Sequence, residues 1–147
     1  MKVSEAMTTE VETISPQDTV EYAAARMREH DIGILPVTEE GRAVGVVTDR
    51  DIALRCTAEG RDAGSTPVLD IMTTAVIQCR ETQDLAEASR LMEEKKIRRL
   101  VVTDDTGTVT GLLSVDDLAA RLDDASVFSR VLREVSLSPP RASARRP

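Results

Sequence analysis

The apolar positions of this chain follow two periods that alternate along its length. Val20, Ala23, Ala24 and Met27 recur at the spacing of one helix face, and Leu85, Ala88, Leu91 and Met92 do so again. Short runs rich in β-branched residues and leucine follow each of them: Ile32 to Val37 and Val44 to Val47, then Leu100 to Val102 and Val109 to Leu113. Each pair of runs flanks an acidic turn with a glycine, Glu39-Glu40-Gly41-Arg42 or Asp104-Asp105-Thr106-Gly107. That pattern predicts two antiparallel hairpins. Polar–apolar stretches at Val11 to Ile14 and Val76 to Cys79 predict one more strand ahead of each helix. Ser15-Pro16-Gln17-Asp18 supplies a cap, a proline and an acid for the first helix start. Further helices are predicted from Thr48 and from Ser114. The fold class is mixed α/β (α+β), a β-α-β-β-α unit made twice.

The two units are copies. Met7-Thr8-Thr9 answers Met72-Thr73-Thr74 at an offset of 65, Met27 answers Met92, and Leu35-Pro36-Val37-Thr38 answers Leu100-Val101-Val102-Thr103. One extra turn residue moves the offset to 66, so that Gly45-Val46-Val47-Thr48 answers Gly111-Leu112-Leu113-Ser114. A repeat of this length is a whole supersecondary unit. Two copies imply a closed pair about a pseudo-two-fold axis, with a cleft on the axis as the place for a ligand. The expected boundaries are 1–57 and 67–122 for the repeats, with a Gly- and Ser-containing linker at 58–66. Val68 to Met72 is expected to form a short helix matching Val3 to Met7. Val127, Phe128, Val131, Leu132 and Val135 form an apolar stripe, predicting an extra helix over 123–135 that packs on the body or on another subunit. Residues 136–147 read as a disordered basic tail.

Composition narrows the function. Only one Tyr, one Phe and no Trp occur among 147 residues, which excludes single-stranded nucleic-acid platforms and aromatic cages. The net charge of −7 repels phosphate backbones, so nucleic acid is not the expected partner. No apolar run approaches the roughly 20 residues of a membrane span, and no signal segment opens the chain, so a cytoplasmic location is expected. Cys56 and Cys79 stand at non-equivalent places in the copies and read as buried free thiols.

The sharpest local pattern is Gly-x-x-Thr/Ser-x-x-Asp, present as Gly45, Thr48, Asp51 and as Gly111, Ser114, Asp117. Two readings stand side by side. At a strand-to-helix junction, Thr-x-x-Asp resembles a capping box, although Asp is a methylene shorter than the usual Glu or Gln. Alternatively, Gly lets a ligand approach the strand, the hydroxyl and helix N–H groups suit phosphate, and the carboxylate accepts two ribose hydroxyls.

The ordered set of an early Met-Thr, a helix ending in Met, Leu-Pro-Val, a Gly hairpin and Gly-h-h-Thr-x-x-Asp resembles the CBS domain, with h an apolar residue. Two in tandem resemble a Bateman module over about Val3 to Leu122. The first copy, with Met27-Arg28-Glu29-His30-Asp31-Ile32-Gly33 and Thr48-Asp49-Arg50-Asp51-Ile52, is similar to small stand-alone bacterial two-CBS proteins. The resemblance implies regulatory binding of an adenosine-containing ligand: AMP, ADP or ATP, with S-adenosylmethionine and NAD behind them. It implies ribose at Asp51 and Asp117, hydroxyl contacts at Thr48 and Ser114, and adenine near Thr13 or Gln78. Phosphates are implied at basic residues just before the Leu-Pro-Val element of the partner repeat; those positions hold Arg98 and Arg99 in the second copy and Gly33 and Ile34 in the first. The site of Thr48 and Asp51 would borrow Arg98 and Arg99, leaving one competent site and one weak or empty one.

An enzyme is not expected. The one histidine, His30, falls at a predicted helix C-terminus, where a cation is favourable and ordinarily solvated. No acid–base pair or metal-ligand spacing stands out. No cofactor is required. A homodimer is expected, with the output passing to a separate protein target or lying in the dimer itself. The alternative is a ligand-free stress-response protein that works through dimer or partner contacts.

Overall fold

The computed structural model describes residues 1–121 and Arg133. The expected C-terminal helix at 123–135 and the tail at 136–147 lie outside the described residues, apart from the single helical Arg133. The described elements are α1 (Val20–His30), β1 (Ile34–Glu39), β2 (Arg42–Thr48) and α2 (Asp49–Asp51), then β3 (Gln78–Arg80), α3 (Leu85–Lys95), β4 (Arg99–Thr103), β5 (Val109–Ser114) and α4 (Val115–Arg121). α2 runs on into a π-helical stretch, Ile52–Thr57, closed by bonds such as Ala58 N–H to Ala53 O at 2.9 Å. Short 3₁₀ turns stand at Val3–Glu5 and Val68–Asp70, where short helices were expected.

The chain divides into two compact units that do not coincide with the two copies. One holds residues 12–76, and the other holds residues 1–11 together with 77–121. Each unit therefore contains the opening segment of the other copy. The two cores record this exchange. Val3 and Ala6 are buried with Leu85, Met92, Leu100 and Leu113. Val68 and Ile71 are buried with Val20, Met27, Leu35 and Val47.

In the unit of residues 12–76, β1 and β2 pair antiparallel, with a bulge at Val37/Thr38. In the other unit, β4 and β5 repeat the hairpin, with a bulge at the equivalent Val102/Thr103, and β3 adds in parallel to β4. The strand expected at Val11 to Ile14 does not form as one. It is reduced to a single bridge between Ile14 and Val37. Proline supplies the reason. In the second copy, Val101 N–H donates to Ile77 O at 3.3 Å. Its counterpart Pro36 has no N–H to give, so that rung of the ladder is lost.

The start of α1 also differs from expectation. Asp18 turns back to accept from Ser15 N–H at 2.8 Å, and Thr19 caps the helix by accepting from Tyr22 N–H at 3.1 Å. The segment Ser15 to Asp18 has another task. The carbonyls of Pro16 and Asp18 accept from Leu69 N–H (3.0 Å) and Val68 N–H (2.8 Å), docking the exchanged segment. Both long helices end in left-handed residues, Asp31 at φ 52° and Lys96 at φ 58°. Ala24 is exposed and Leu91 half-buried, so the buried stripes are narrower than the sequence pattern.

Candidate functional site

Each Gly-x-x-Thr/Ser-x-x-Asp motif sits where an extended strand turns directly into a helix. Thr48 ends β2 in the extended conformation and caps α2. Its Oγ1 accepts from Asp51 N–H at 3.0 Å, and Asp51 Oδ2 accepts from Thr48 N–H at 3.1 Å. Ser114 and Asp117 make the same pair of bonds, at 3.2 Å to Ser114 Oγ and 2.9 Å to Asp117 Oδ2. Both capping boxes are closed, and the missing methylene of Asp does not prevent it.

The two glycines have a different role from the one expected. A side chain at Gly45 would place its Cβ 2.6 Å from Met72 Sδ and 2.9 Å from Thr73 O. At Gly111 the same distances run to Met7 Sδ and Thr8 O. The exchanged segment, rather than a ligand, lies against the strand backbone. It is fastened there by Val46 N–H to Thr73 O at 2.9 Å and Thr73 N–H to Val46 O at 2.8 Å. In the other unit Thr8 and Leu112 exchange the corresponding bonds, at 2.9 and 3.1 Å.

The helix starts are not open anion sites either. The first turn of α2 carries Asp49 and Asp51, and that of α4 carries Asp116 and Asp117. These carboxylates already answer the positive helix end. Arg50 N–H donates to Asp49 Oδ1 at 2.8 Å, and Asp51 N–H is held by Thr48.

The two motif carboxylates differ in their surroundings. Asp51 has a side chain only 12% exposed. Besides Thr48 N–H, its Oδ2 accepts from Thr73 Oγ1 at 3.3 Å, and Arg55 Nη1 stands 3.9 Å from its Oδ1. Arg55 also donates to the carbonyls of Ile71 (2.8 Å) and Met72 (3.2 Å). Thr73 is buried. Their counterparts in the other unit, Thr8 and Arg121, are both exposed. Among the described residues, neither makes the corresponding bond to Asp117. Sequence reasoning missed Thr73 and Arg55. Their signal was faint, since Thr73 belongs by sequence to the second copy and Arg55 reads as one more helix-surface cation.

The remaining expected residues are placed as follows. Thr13 is exposed and directly precedes Ile14, the bridge to Val37, in the same unit as Thr48 and Asp51. Gln78 is exposed at the start of β3. Arg98 and Arg99 are exposed. Arg98 O accepts from Val115 N–H at 3.0 Å, and Arg99 pairs in register with Ser114. The two arginines thus stand beside Ser114 within one unit. His30 is not merely solvated, because its Nε2 lies 2.8 Å from Glu12 Oε1. Arg26 pairs with the same carboxylate and with Glu29 at 3.1 Å.

Cys56 and Cys79 are both free and buried. Burial pushes the Cys79 thiol up to about 11, away from reactivity at neutral pH. Among the described residues no group of three His, Cys, Asp or Glu side chains could hold a metal ion. No described helix is long and apolar enough to cross a membrane.

The fold is a doubled α+β unit with a capped Thr/Ser-x-x-Asp at each strand-to-helix turn, and the chain belongs to the CBS-domain family. The family model matches residues 3–56 and 68–124. Among its relatives, the CBS domain-containing protein YhcV of Bacillus subtilis is 45% identical over 117 residues, covering 80% of this chain and 82% of that one. Hypoxic response protein 1 of Mycobacterium tuberculosis is 30% identical over 122 residues, covering 82% of this chain and 85% of its own. A crystal structure of Hypoxic Response Protein I, with two coordinated zinc ions, matches 83% of this chain and 99% of that one at TM-score 0.75 and 28% identity. A CBS-domain protein of Pyrobaculum aerophilum, solved in complex with AMP, matches 94% of this chain and 100% of that one at TM-score 0.73 and 25% identity.

Proposed function

We propose that this protein is a non-catalytic regulatory module that binds an adenosine-containing ligand of the AMP, ADP or ATP class. The observation that carries this reading is the likeness to the AMP-bound protein of P. aerophilum over nearly the whole of both chains. The doubled motif supports it, because each copy ends a strand with a hydroxyl and a carboxylate suited to a ribose. In this reading Asp51 accepts the ribose hydroxyls, Thr48 contributes the hydroxyl contact, adenine lies near the backbone at Thr13, and Ser114 and Asp117 form a second, weaker equivalent. Arg98 and Arg99, exposed and beside Ser114, are the phosphate-facing cations. The working molecule is a cytoplasmic homodimer that passes its signal to a separate protein.

Calorimetric titration tests the reading. AMP, ADP, ATP, S-adenosylmethionine and NAD are each added to wild type and to Asp51→Asn. The amide keeps an oxygen for Thr48 N–H, so the cap survives while the charge is lost. One ligand is expected to bind at one site per chain, with the variant weakened at least tenfold. A ligand at 100 times its dissociation constant should also add about 2.7 kcal/mol of stability. Heat-free titrations with every nucleotide, joined to unchanged melting curves, would sink the proposal.

A second reading is favoured by one specific observation. Both motif carboxylates are already engaged in capping their own helices. If capping is their whole task, the protein is a ligand-free stress-response protein that acts through dimer or partner contacts. Dimerisation with no nucleotide response would select it.

A further inference from the structure

The motif copies are alike in sequence but not in the groups that hold them. Asp51 Oδ2 accepts from two donors, Thr48 N–H at 3.1 Å and Thr73 Oγ1 at 3.3 Å. Thr73 is buried, and its segment is fixed by both of its backbone bonds to Val46. Arg55 adds a third restraint. Its guanidinium is anchored on the carbonyls of Ile71 and Met72 and stands 3.9 Å from Asp51 Oδ1. Two donors on one oxygen, and a cation beside the other, fix the plane of the carboxylate. An acceptor held in one orientation loses less freedom on meeting a hydroxyl pair than one that rotates.

We propose that Thr73 and Arg55 are positioning residues that orient Asp51 toward a vicinal diol, making the Thr48–Asp51 site selective for ribose over deoxyribose. This rests on the adenosine-binding reading above. It adds that the selective group belongs to the exchanged segment. Docking of residues 68–73 and recognition of the diol are then one event, because the same threonine serves both. The other unit is a built-in control, since Thr8 is exposed and Arg121 does not reach Asp117 among the described residues.

The test is calorimetric titration of the full chain with AMP and with 2′-deoxy-AMP. Wild type should prefer AMP by about tenfold, the scale of one hydrogen bond to a charged group. Thr73→Val removes the hydroxyl at nearly constant shape. It should weaken AMP about tenfold and 2′-deoxy-AMP much less, which collapses the preference. Thr73→Ser should restore it, and Thr8→Val should leave both affinities alone. Arg55→Gln should narrow the preference in the same direction, which covers the case of a Thr73→Val protein too unstable to titrate. A purely structural role would lower the melting temperature while leaving the ratio intact. If wild type binds AMP and both Thr73→Val and Arg55→Gln keep the wild-type ratio, this inference is overturned and the binding reading stands. If wild type binds no adenosine ligand, both fall together.

Discussion

Alanine at Gly45 should cost this protein stability without any ligand present. The added Cβ would lie 2.6 Å from Met72 Sδ, 3.1 Å from Met72 Cγ and 2.9 Å from Thr73 O. Carbon contacts are comfortable at roughly 3.5–4.0 Å, so neighbours must withdraw by about 0.5–1 Å. Met72 is flexible enough to turn aside. The carbonyl of Thr73 is not, because it accepts from Val46 N–H at 2.9 Å while Thr73 N–H donates to Val46 O at 2.8 Å. Overpacking of this kind costs about 1–3 kcal/mol, and weakening the Val46 N–H to Thr73 O bond about 1 kcal/mol. The sum is about 2–4 kcal/mol, or a fall in Tm on the order of 10 °C for a chain of this size. Urea denaturation followed by far-ultraviolet circular dichroism reads the change directly. Gly111→Ala should behave alike, since its Cβ meets Met7 and Thr8 at the same distances. Adding Met72→Ala to Gly45→Ala should not rescue it, because the carbonyl contact remains. If both alanine variants lie within about 0.5 kcal/mol of wild type, the close-approach argument is wrong. Unchanged stability with lost nucleotide binding would return the glycine to the ligand.

Three further outcomes follow from particular groups. The Asp104 carboxylate is held below its usual range, first by the Thr106 hydroxyl and then by the backbone N–H groups of Thr106, Thr108 and Gly107. A lowered carboxylate contributes stability above its unfolded value near 4 that is lost as pH falls through the folded one. Asp104→Ala should therefore loosen the β4–β5 turn at neutral pH and match wild type in strong acid, as followed by amide exchange of Thr106 and Thr108. Cys79 works in the opposite sense. Its thiol is neutral up to about 11, so the fold loses stability as pH rises from the ordinary thiol range toward that value, a slope that Cys79→Ala should remove from alkaline urea melts. Pro36→Val should restore the missing donor and lengthen the pairing of residues 11–14 with β1, which would appear as a newly protected amide at position 36 in hydrogen exchange. No protection there would mean that something besides the proline limits the strand.

Local chemistry made most of the elements legible. Helical spacing located α1 and α3, and the glycine turns located both hairpins to within a residue or two. Errors arose where one residue carried a longer-range consequence. Pro36 removed a strand from a neighbour more than twenty positions away, and Asp18 closed a turn where a helix start was expected. In the candidate site, Thr48, Asp51, Ser114 and Asp117 were visible because a strand, a hydroxyl and an acid recur at fixed spacing. Thr73 and Arg55 were not, because their importance depends on which strand Thr73 lies against.

That assignment separates what the chain's sequence determines alone from what tertiary structure decides. Periodicity and turn chemistry act over a few residues, so the sequence by itself determined the elements, their order and their duplication. It also marked Val3 to Met7 and Val68 to Met72 as equivalent. Equivalence is why local signals do not assign each segment to a core, since either would fill either place. Tertiary packing decided it. Val68 docks on Asp18, and Thr66 O receives Val20 N–H at 2.9 Å, so the second copy's opening segment closes the first copy's core. Val3 N–H in turn donates to Gln83 O at 2.9 Å, closing the other. Burial is insensitive to chain order, and each core takes whichever matching apolar segment the chain brings to it.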